Sequence, residues 1–273
     1  MDDLGDRIKN NYENRTRYFL PRRTYTIIRL DGKAFHTFTK QFEKPYDLKL
    51  MEIMDLTAKS LCREIQGAKF AFVQSDEINI LVTDFEKLGT DAWFNGNLQK
   101  IVSVSASIAT CTFNKHYLGW RLANTKKDDN EAVLEAYAYA AECVPAAHFD
   151  SRAFTITDRQ EVKNVFIWRQ QDATKNAIQM LAQHHFSHKE LQNLNESQLQ
   201  DKLMLEKQIN FNDEPVGFKR GRFISRVPRI IKEKTLPNGK VIPEHTRNVW
   251  ESLEPPILTK DKAFLDNLIP NIN

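Results

Sequence analysis

The chain has 273 residues, of which 41% are hydrophobic, so it is long enough to bury a sizeable core. A formal net charge of +3 does not by itself indicate a nucleic-acid-binding protein. No apolar run approaches the roughly 20 residues that cross a membrane, and the first residues lack the basic start of a signal peptide. Three widely spaced cysteines argue against a zinc site or a disulfide framework, so we predict a cytoplasmic protein that does not contact membranes.

The first third of the chain predicts a sheet backed by helices. It begins with an amphipathic helix at 2–19 and a strand at 25–30 before the turn Asp31-Gly32. A helix then begins at Pro45 and ends at Gly67. Two strands follow at 70–74 and 78–82 around the turn Ser75-Asp76. Neither repeated βα units nor a glycine-rich phosphate loop is present. This order favours an α+β fold with an antiparallel sheet over a parallel sheet.

The rest of the chain predicts mainly helices. Residues 93–113 fit both strand and helix patterns, and their length favours a helix. A helix at 131–143 and a strand at 149–157 are predicted next, followed by a long helix that is capped by Asp158 and reaches Ala182. One or two short helices are predicted within 187–206, capped by Ser187 or Asn195. The last predicted elements are a hairpin turn at 236–240 and a loose tail after Pro255-Pro256.

Acidic residues stand at two strand ends that could meet in the predicted sheet. Asp31 ends the first strand, and Asp76 and Glu77 lie at the turn of the hairpin. If these strands are neighbours, the acids face one another at the rim of the sheet. Hard oxygen ligands of this kind hold two Mg²⁺ ions roughly 3.5–4 Å apart in phosphoryl-transfer sites. Asp-Gly and Ser-Asp are also common turn residues, so spacing alone leaves ordinary turn chemistry as the alternative.

A basic segment lies in the second half of the chain. Residues 216–247 contain nine Lys or Arg against two Glu, a local net charge of +7. Such a segment can neutralise several phosphates of a nucleic acid. A solvated face of a β-hairpin is the alternative that the charge pattern leaves open.

Several long motifs follow one another in an order that resembles a known family. They are Arg29–Phe38, Phe42–Asp47, Gln74–Glu77, Trp93-Phe94 with Lys100, Phe149–Arg152, Trp168–Asp172 with Asn176, Phe211-Asn212 and Phe218–Gly221. Together they are similar to the tRNA-histidine guanylyltransferase superfamily, which includes the guanylyltransferase-like proteins. The likeness covers about residues 5–226 and makes the metal hypothesis strong.

The resemblance implies a polymerase-like palm that runs its chemistry in the 3′–5′ direction. The RNA 5′-phosphate is activated by ATP or GTP, and the 3′-hydroxyl of an incoming nucleotide then attacks it, with two Mg²⁺ ions at the site. We expect a palm catalytic domain at 1–130 and a mostly helical part at 131–273 that carries a basic β-hairpin and contacts tRNA. The resemblance also implies a homotetramer built from two dimers.

The family motifs imply roles for single residues near the palm. The ligands of the two ions, which form the catalytic centre, would be Asp31, the Gly32 carbonyl, Asp76 and Glu77. Phosphates would be met by Arg29, Lys44 and Lys100. The base and ribose of the activating nucleotide would be held by His36, Phe42, which would stack, and Asp47. Ser75 would contact a phosphate or the metal shell.

Residues of the second half would support the site and contact tRNA. The resemblance implies RNA contacts for Arg152, Arg169 and Asn176, with Asp150 and Asp172 in the same region. The first cations of the basic segment, Lys219, Arg220 and Arg222, are the predicted contacts with the tRNA backbone.

Three departures from the family pattern refine the expected activity. Thr174-Lys175-Asn176 stands where the eukaryotic guanylyltransferases carry His-Ile-Asn, a motif that accompanies recognition of tRNA-histidine. Its loss favours the guanylyltransferase-like branch, which repairs truncated tRNA 5′ ends by templated addition. Untemplated addition of guanosine at position −1 of tRNA-histidine is the alternative. Asn97 replaces a usual arginine, and Ser151 replaces a usual glycine.

Two other function classes fit parts of the sequence. A nucleotide cyclase shares a palm-like core and a two-metal site, but Gln74–Glu77 lacks the Gly-Gly of a diguanylate cyclase hairpin. A non-catalytic RNA-binding module would have no need for acids beside phosphates. His184 and His188 have the spacing of helical metal ligands, but this spacing alone is weak support for a zinc site, which we disfavour.

Overall fold

The computed structural model describes residues 3–123, 146–232, 234–235 and 241–272 of the chain. The α-helices of this part are α1 (Asp3–Asn11), α2 (Phe35–Phe38), α3 (Leu48–Glu64), α4 (Leu98–Ala123), α5 (Arg159–His185), α6 (His188–Leu191), α7 (Glu196–Lys207), α8 (Val216–Arg220) and α9 (Ala263–Leu268). Short 3-10 turns lie at Glu13–Thr16, Thr39–Gln41, Trp93–Gly96 and Phe211–Asp213. No helix in the described ranges is both long enough and apolar enough to cross a bilayer.

An antiparallel sheet forms the centre of the fold. The strands are β1 (Tyr25–Gly32), β2 (Ala68–Gln74), β3 (Glu77–Val82), β4 (Phe149–Ile156), β5 (Arg222–Ile231), β6 (Lys234–Thr235), β7 (Val241–Ile242) and β8 (His245–Leu253). Six of them pair in the order β4-β1-β3-β2-β5-β8, and every neighbouring pair is antiparallel, while β6 and β7 form a separate ribbon. The predicted α+β fold with a helix-backed antiparallel sheet is confirmed.

Helices cover both faces of this sheet, and each face has its own hydrophobic cluster. On one face α3 and α4 bury residues such as Met54 and Phe113 against Ile28, Ile80 and neighbouring strand residues. On the other face α5 packs Phe166 against Phe70 and Phe223. Alternate strand residues point to opposite faces, so one apolar strand supplies both clusters.

The β2–β3 hairpin forms where the sequence predicts it. Ser75 adopts φ 47, a left-handed conformation that a tight turn requires. The paired segment extends one residue beyond the predicted strand, to Glu77, which lies directly opposite Gln74. β3 also pairs with β1, so the condition under which the acids of the first strand and the hairpin face one another is met.

Several predicted boundaries differ from the structure. The helix expected from Pro45 begins at Leu48, because Asp47 is extended and its side chain accepts from the backbone N–H groups of Lys49 and Leu50. The helix expected at 2–19 ends at Asn11 and buries no residue. The other helix caps are as predicted, since Asp158 caps α5, Ser187 precedes α6 and Asn195 caps α7.

Three predictions concern residues that the structure does not describe. The helix at 131–143, the turn at 236–240 and the boundary between residues 130 and 131 lie outside the described ranges. Strands from both sides of that boundary share one sheet, since β4, β5 and β8 join β1, β2 and β3.

The segment after Pro255-Pro256 is an ordered part of the core, and the prediction of a loose tail is wrong. Leu258, Leu265 and Ile269 are almost fully buried in the cluster beneath α5. The Tyr25 hydroxyl donates to the Pro270 carbonyl at 2.6 Å, and Arg159 of α5 pairs with Asp266 at 2.8 Å. Apolar residues spaced along a loop-rich segment carry no period that a sequence pattern could have detected.

We expect Leu258→Ala to destabilise the protein by about 2–5 kcal/mol, because it leaves a cavity in a filled core. Leu258 is fully buried, whereas Leu88 is 94% exposed and supplies the matched control Leu88→Ala. Urea unfolding followed by tryptophan fluorescence measures both. Equal midpoints for the two variants would show that the tail is not part of the core.

Candidate active site

A row of polar residues crosses four neighbouring strands at one end of the sheet. Asp31 of β1 lies opposite Asp150 of β4 on one side and opposite Glu77 of β3 on the other. Gln74 of β2 continues the row beyond Glu77. Residues directly opposite one another in antiparallel strands project to the same face, so Asp31, Glu77 and Asp150 lie on one face at this end of the sheet.

The pKa of Asp31 is raised by its partial burial and by the negative charges of Glu77 and Asp150. The pKa of Asp76 is raised to about 6, chiefly by burial, with smaller contributions from Asp31 and Glu77. Hydrogen bonds from the Ser75 side chain and from the backbone of Asp76 itself oppose this change. Within the described residues neither Asp31 nor Asp76 has a salt-bridge partner, although the positive charges of Arg29 and Arg152 partly offset the negative charge of Asp31.

Glu77 differs from the two aspartates, because its carboxylate is fully engaged by the protein. The residue is 3% exposed. It accepts from Arg29 Nη2 at 2.5 Å, from Arg169 Nη2 at 3.0 Å and from Asn79 Nδ2 at 2.6 Å. Two guanidinium groups and one amide therefore satisfy both carboxylate oxygens, and we call Glu77, Arg29, Arg169 and Asn79 the buried ion cluster.

Arg169 connects this cluster to helix α5. Its guanidinium also pairs with Asp172 at 2.7 Å and lies 4.4 Å from the ring centre of Trp168. The residue is 4% exposed, so its predicted contact with RNA differs from the structure, in which Arg169 joins α5 to the sheet. Glu77 therefore has counter-charges from two arginines, although Arg29 Nε and Arg169 Nε are buried without a hydrogen-bond partner of their own among the described residues.

Gly32 follows Asp31 for a steric reason that the sequence did not reveal. A Cβ atom at this position would lie 2.2 Å from Cδ2 of Phe35, far inside contact distance. The absence of a side chain lets Phe35 fold back under the end of β1 and pack against Phe113 and Phe149. The backbone around Asp31 is thereby held by the aromatic cluster of the core.

Two adjoining cavities lie beside Asp76. The inner cavity, of about 90 Å³, has mainly apolar walls that include Phe42, Met51, Ala177 and Phe218. The outer cleft, of about 600 Å³, is more open and includes His36 and Asp76. Residues shared by both cavities are Thr39, Lys44, Pro45, Leu50, Ser75 and Met180.

The predicted nucleotide-binding residues fall into two groups. His36, Lys44 and Ser75 are exposed and line the cavities. Lys44 makes only a long hydrogen bond, 3.4 Å, to the Thr39 hydroxyl, so its ammonium remains available to a ligand. Asp47 lines the inner cavity, yet its carboxylate already accepts three backbone N–H groups as the cap of α3.

Phe42 and Lys100 lie in surroundings that differ from their predicted roles. Phe42 is 5% exposed, and its ring stacks on Trp120 with centroids 5.8 Å apart, so the protein itself occupies a stacking face. Lys100 lies in a separate depression with Arg17, at the start of α4. No residue of that depression lines either cavity beside Asp76.

The predicted RNA-contacting residues also separate by burial. Arg152 and Asn176 are exposed, and Arg220 is half-buried at the edge of a cavity on the far side of α5. Lys219 and Arg222 are buried, which differs from the prediction. Lys219 donates to the Asn212 carbonyl, and Arg222 pairs with Asp55 of α3 at 2.7 Å. These two cations join α8 and β5 to the rest of the fold.

Each departure from the family motifs has a local structural role. Asn97 is buried and its Oδ1 accepts from the backbone N–H of Lys100, which caps the start of α4. The Ser151 hydroxyl lies 2.8 Å from that of Ser105 and connects β4 to α4. Thr174 donates to the Gln170 and Lys219 carbonyls, so its side chain is directed to the protein backbone.

Sequence reasoning missed Asn79 as a part of the site. It is 1% exposed between Ile78 and Ile80, and its amide orients Glu77. A polar residue within an otherwise apolar central strand is a signal that could have identified it, because buried amides need partners.

The arrangement of these residues indicates the class of reaction that the site can support. Carboxylates at a sheet rim, beside an apolar cavity that opens into a cation-lined cleft, suit metal-assisted transfer of a phosphorylated group. Among the described residues no three His, Cys, Asp or Glu side chains converge as a ready metal site. The donors with free capacity are therefore the Asp31 and Asp76 carboxylates.

Known proteins are similar to this chain in fold and in sequence. A family model described as Thg1, tRNAHis guanylyltransferase, matches residues 5–157. A bacterial Thg1-like protein in complex with ATP is 41% identical over 99% of this chain and 100% of its own, with a TM-score of 0.78. A GTP complex of a bacterial Thg1-like protein is 40% identical over 98% and 99% of the two chains, with a TM-score of 0.74. The tRNA(His) guanylyltransferase of Saccharomyces cerevisiae is 27% identical over 76% of this chain and 84% of its own.

A six-stranded antiparallel sheet with carboxylates at its rim is thus the framework of a nucleotidyltransferase. The chain belongs to the tRNA-histidine guanylyltransferase family.

We expect Arg169→Met to destabilise the fold by about 3–5 kcal/mol, because it leaves the buried Glu77 carboxylate short of a counter-charge. Chemical denaturation of purified variants measures the change. Arg152→Met removes an exposed arginine and serves as the control.

The double variant Arg169→Met/Glu77→Gln tests the origin of that loss. We expect it to be less destabilised than the sum of its single changes, because the two residues contact each other. Strict additivity would contradict the proposed role of the buried ion cluster.

We expect Asp76→Asn to be more stable than the parent chain at pH 7.5 in the presence of a chelator. The folded pKa of about 6 exceeds the ordinary value of 3.8, so ionisation of Asp76 opposes folding. This cost is complete above about pH 6 and disappears as the pH falls below 3.8. Unfolding midpoints should therefore converge towards pH 4, whereas the exposed control Asp91→Asn should show no such pH-dependent gain.

Proposed function

We propose that this protein adds nucleotides to the 5′ end of tRNA in the 3′–5′ direction and repairs truncated 5′ ends by copying the opposite strand. The observation that carries the proposal is the pair Asp31 and Asp76 beside two adjoining cavities. Similarity over nearly the whole chain to bacterial Thg1-like proteins in complex with ATP and GTP supports nucleotide binding at this site.

The residues present fit a magnesium site. Asp31, Asp76 and the Gly32 carbonyl offer hard oxygen donors. Burial, and after it the negative charge of neighbouring carboxylates, raises the pKa of both carboxyl groups, and a bound cation would favour their charged forms. Bound Mg²⁺ would neutralise phosphate charge and activate the attacking oxygen. Glu77 acts differently, because Arg29 and Arg169 already neutralise it, and we assign it the role of fixing Asp31 and Asp76 through the strand register.

The activating nucleotide fits across the two cavities. Its base would enter the apolar inner cavity beside Met51 and Phe218, and its phosphates would reach the outer cleft past Lys44 and Ser75. His36 and Lys44 supply donors for the ribose and phosphates. Because Phe42 stacks on Trp120, we assign it the role of shaping the cavity wall.

The reaction then has two transfers. A 5′-phosphate oxygen of the RNA attacks the α-phosphorus of ATP or GTP, and pyrophosphate leaves. The 3′-hydroxyl of the incoming nucleotide next attacks the activated 5′-phosphorus, a new phosphodiester forms and the nucleoside monophosphate leaves. Arg29 and the exposed Arg152 face this end of the sheet and could offset the negative charge that develops.

The tRNA is proposed to lie along accessible cations and the polar side chain of Asn176. Arg152, Asn176 and the half-buried Arg220 remain accessible, together with Arg226, Arg229 and Arg247 of the β5–β8 ribbon. Oligomeric assembly into a tetramer is also part of the proposal and follows from the family resemblance.

Addition of guanosine to position −1 of tRNA-histidine is the second candidate. The structural environment of Thr174 favours templated repair, because its hydroxyl is committed to the Gln170 and Lys219 carbonyls. That side chain cannot present the recognition group of the eukaryotic His-Ile-Asn motif at the same position.

We expect the protein, Mg²⁺ and all four nucleoside triphosphates to extend two tRNAs that each lack their first 5′ nucleotide. One is tRNA-histidine, and the other has a templating base other than C. Asp76→Asn should slow both additions by at least about 100-fold, because it removes a ligand of the metal site. Mapping of 5′ ends reads the products, with Asp91→Asn as the control.

The pattern of products decides between the candidates. Templated addition to both tRNAs supports repair, whereas guanosine added only to tRNA-histidine would favour the second candidate. Turnover of nucleotides without RNA would indicate a cyclase, and absence of any product would refute the polymerase proposal.

A further inference from the structure

The outer cleft contains polar side chains that the family motifs do not assign. Lys40 enters it from the 3-10 turn after α2, and Gln183 and His184 enter it from the C-terminal end of α5. These two elements are separated by more than 140 positions in the chain, so only the fold brings them to one cavity. His184 was considered in the sequence only as an unfavoured zinc ligand.

Lys40 and His184 are available to a ligand. Both side chains are exposed, and within the described residues neither forms an ion pair. The ring of His184 contacts that of His185, with centroids 4.7 Å apart. The Lys40 ammonium and a ring N–H of His184 are therefore hydrogen-bond donors on the walls of one cleft that an anion can use.

The charge of the cleft identifies the class of ligand. Its described lining includes Lys40, Lys44, His36 and His184, against the single carboxylate of Asp76. A cleft with an excess of positive charge attracts anions. The adjoining inner cavity is mainly apolar and suits a base, so the anionic part of the same molecule would occupy the outer cleft.

We propose that Lys40 and His184 bind the polyphosphate chain of the activating nucleoside triphosphate in the outer cleft. This inference rests on the proposed function, because it assumes that the inner cavity holds the base. Lys44, at the junction of the two cavities, lies along the route from the base to these outer groups. Lys40 and His184 therefore favour a triphosphate over a monophosphate.

Direct binding measurements test this inference. Isothermal titration calorimetry with ATP and with AMP, each in Mg²⁺ and in a chelator, compares the parent chain with Lys40→Met and His184→Gln. Lys189→Met and His188→Gln are matched controls, because both residues are exposed on α6 and neither lines the cleft. We expect Lys40→Met and His184→Gln each to weaken ATP binding about tenfold, as loss of a charged hydrogen bond does, and to leave AMP binding unchanged.

Each possible result of these titrations either supports or overturns the proposed roles of Lys40 and His184. ATP affinities equal to those of the controls, or equal losses for ATP and AMP, would overturn it while leaving the proposed function intact. If the parent chain binds neither nucleotide, the proposed function fails and this inference fails with it. Thermal unfolding of each variant verifies the fold, and surface substitutions of this kind should leave it unchanged.

Discussion

The buried salt bridge between Glu77 and Arg169 is the constraint on which the site depends. A carboxylate that is 3% exposed cannot remain ionised in the core without counter-charges, and Arg29, Arg169 and Asn79 supply them. Because Arg169 belongs to α5 and Glu77 to β3, the pairing also fixes the helix against the sheet. Residues of α5 line both cavities beside Asp76, so the position of this helix against the sheet shapes them.

The same constraint divides the acids of the site into two kinds. Glu77 is neutralised inside the protein, whereas Asp31 and Asp76 keep a raised pKa and no salt-bridge partner among the described residues. Such acids cost stability, and proteins retain them where a ligand supplies the missing charge. Asp31 and Asp76 at the rim are therefore the residues that can bind a cation, and the buried ion cluster around Glu77 holds the strands beneath them in place.

Local patterns predicted much of the fold. The turn at Ser75, the caps Asp158 and Asn195 and the apolar strands all depend on neighbouring residues, which a single sequence displays. The pairing of β1 with β3, which brings Asp31 opposite Glu77, is a long-range contact that the sequence left only as a condition.

Long-range packing explains what the sequence could not predict. Arg169, Lys219 and Arg222 look like surface cations, and only the fold reveals their partners Glu77, the Asn212 carbonyl and Asp55. The sequence likewise does not reveal that the Phe42 ring stacks on Trp120, which is 78 positions away. The roles of the accessible residues in nucleotide and RNA binding remain predictions.

The packing of the C-terminal segment bears on how the chain folds as it is synthesised. The Tyr25 hydroxyl and the Pro270 carbonyl are 245 positions apart, yet they close the same cluster beneath α5. Contacts of such large sequence separation form late, because the intervening chain must first be ordered. During translation one apolar face of β1 therefore lacks its contacts with the C-terminal segment until the residues after Pro256 leave the ribosome. Cells that produce this protein would need chaperones or rapid helix formation by α5 to protect that face.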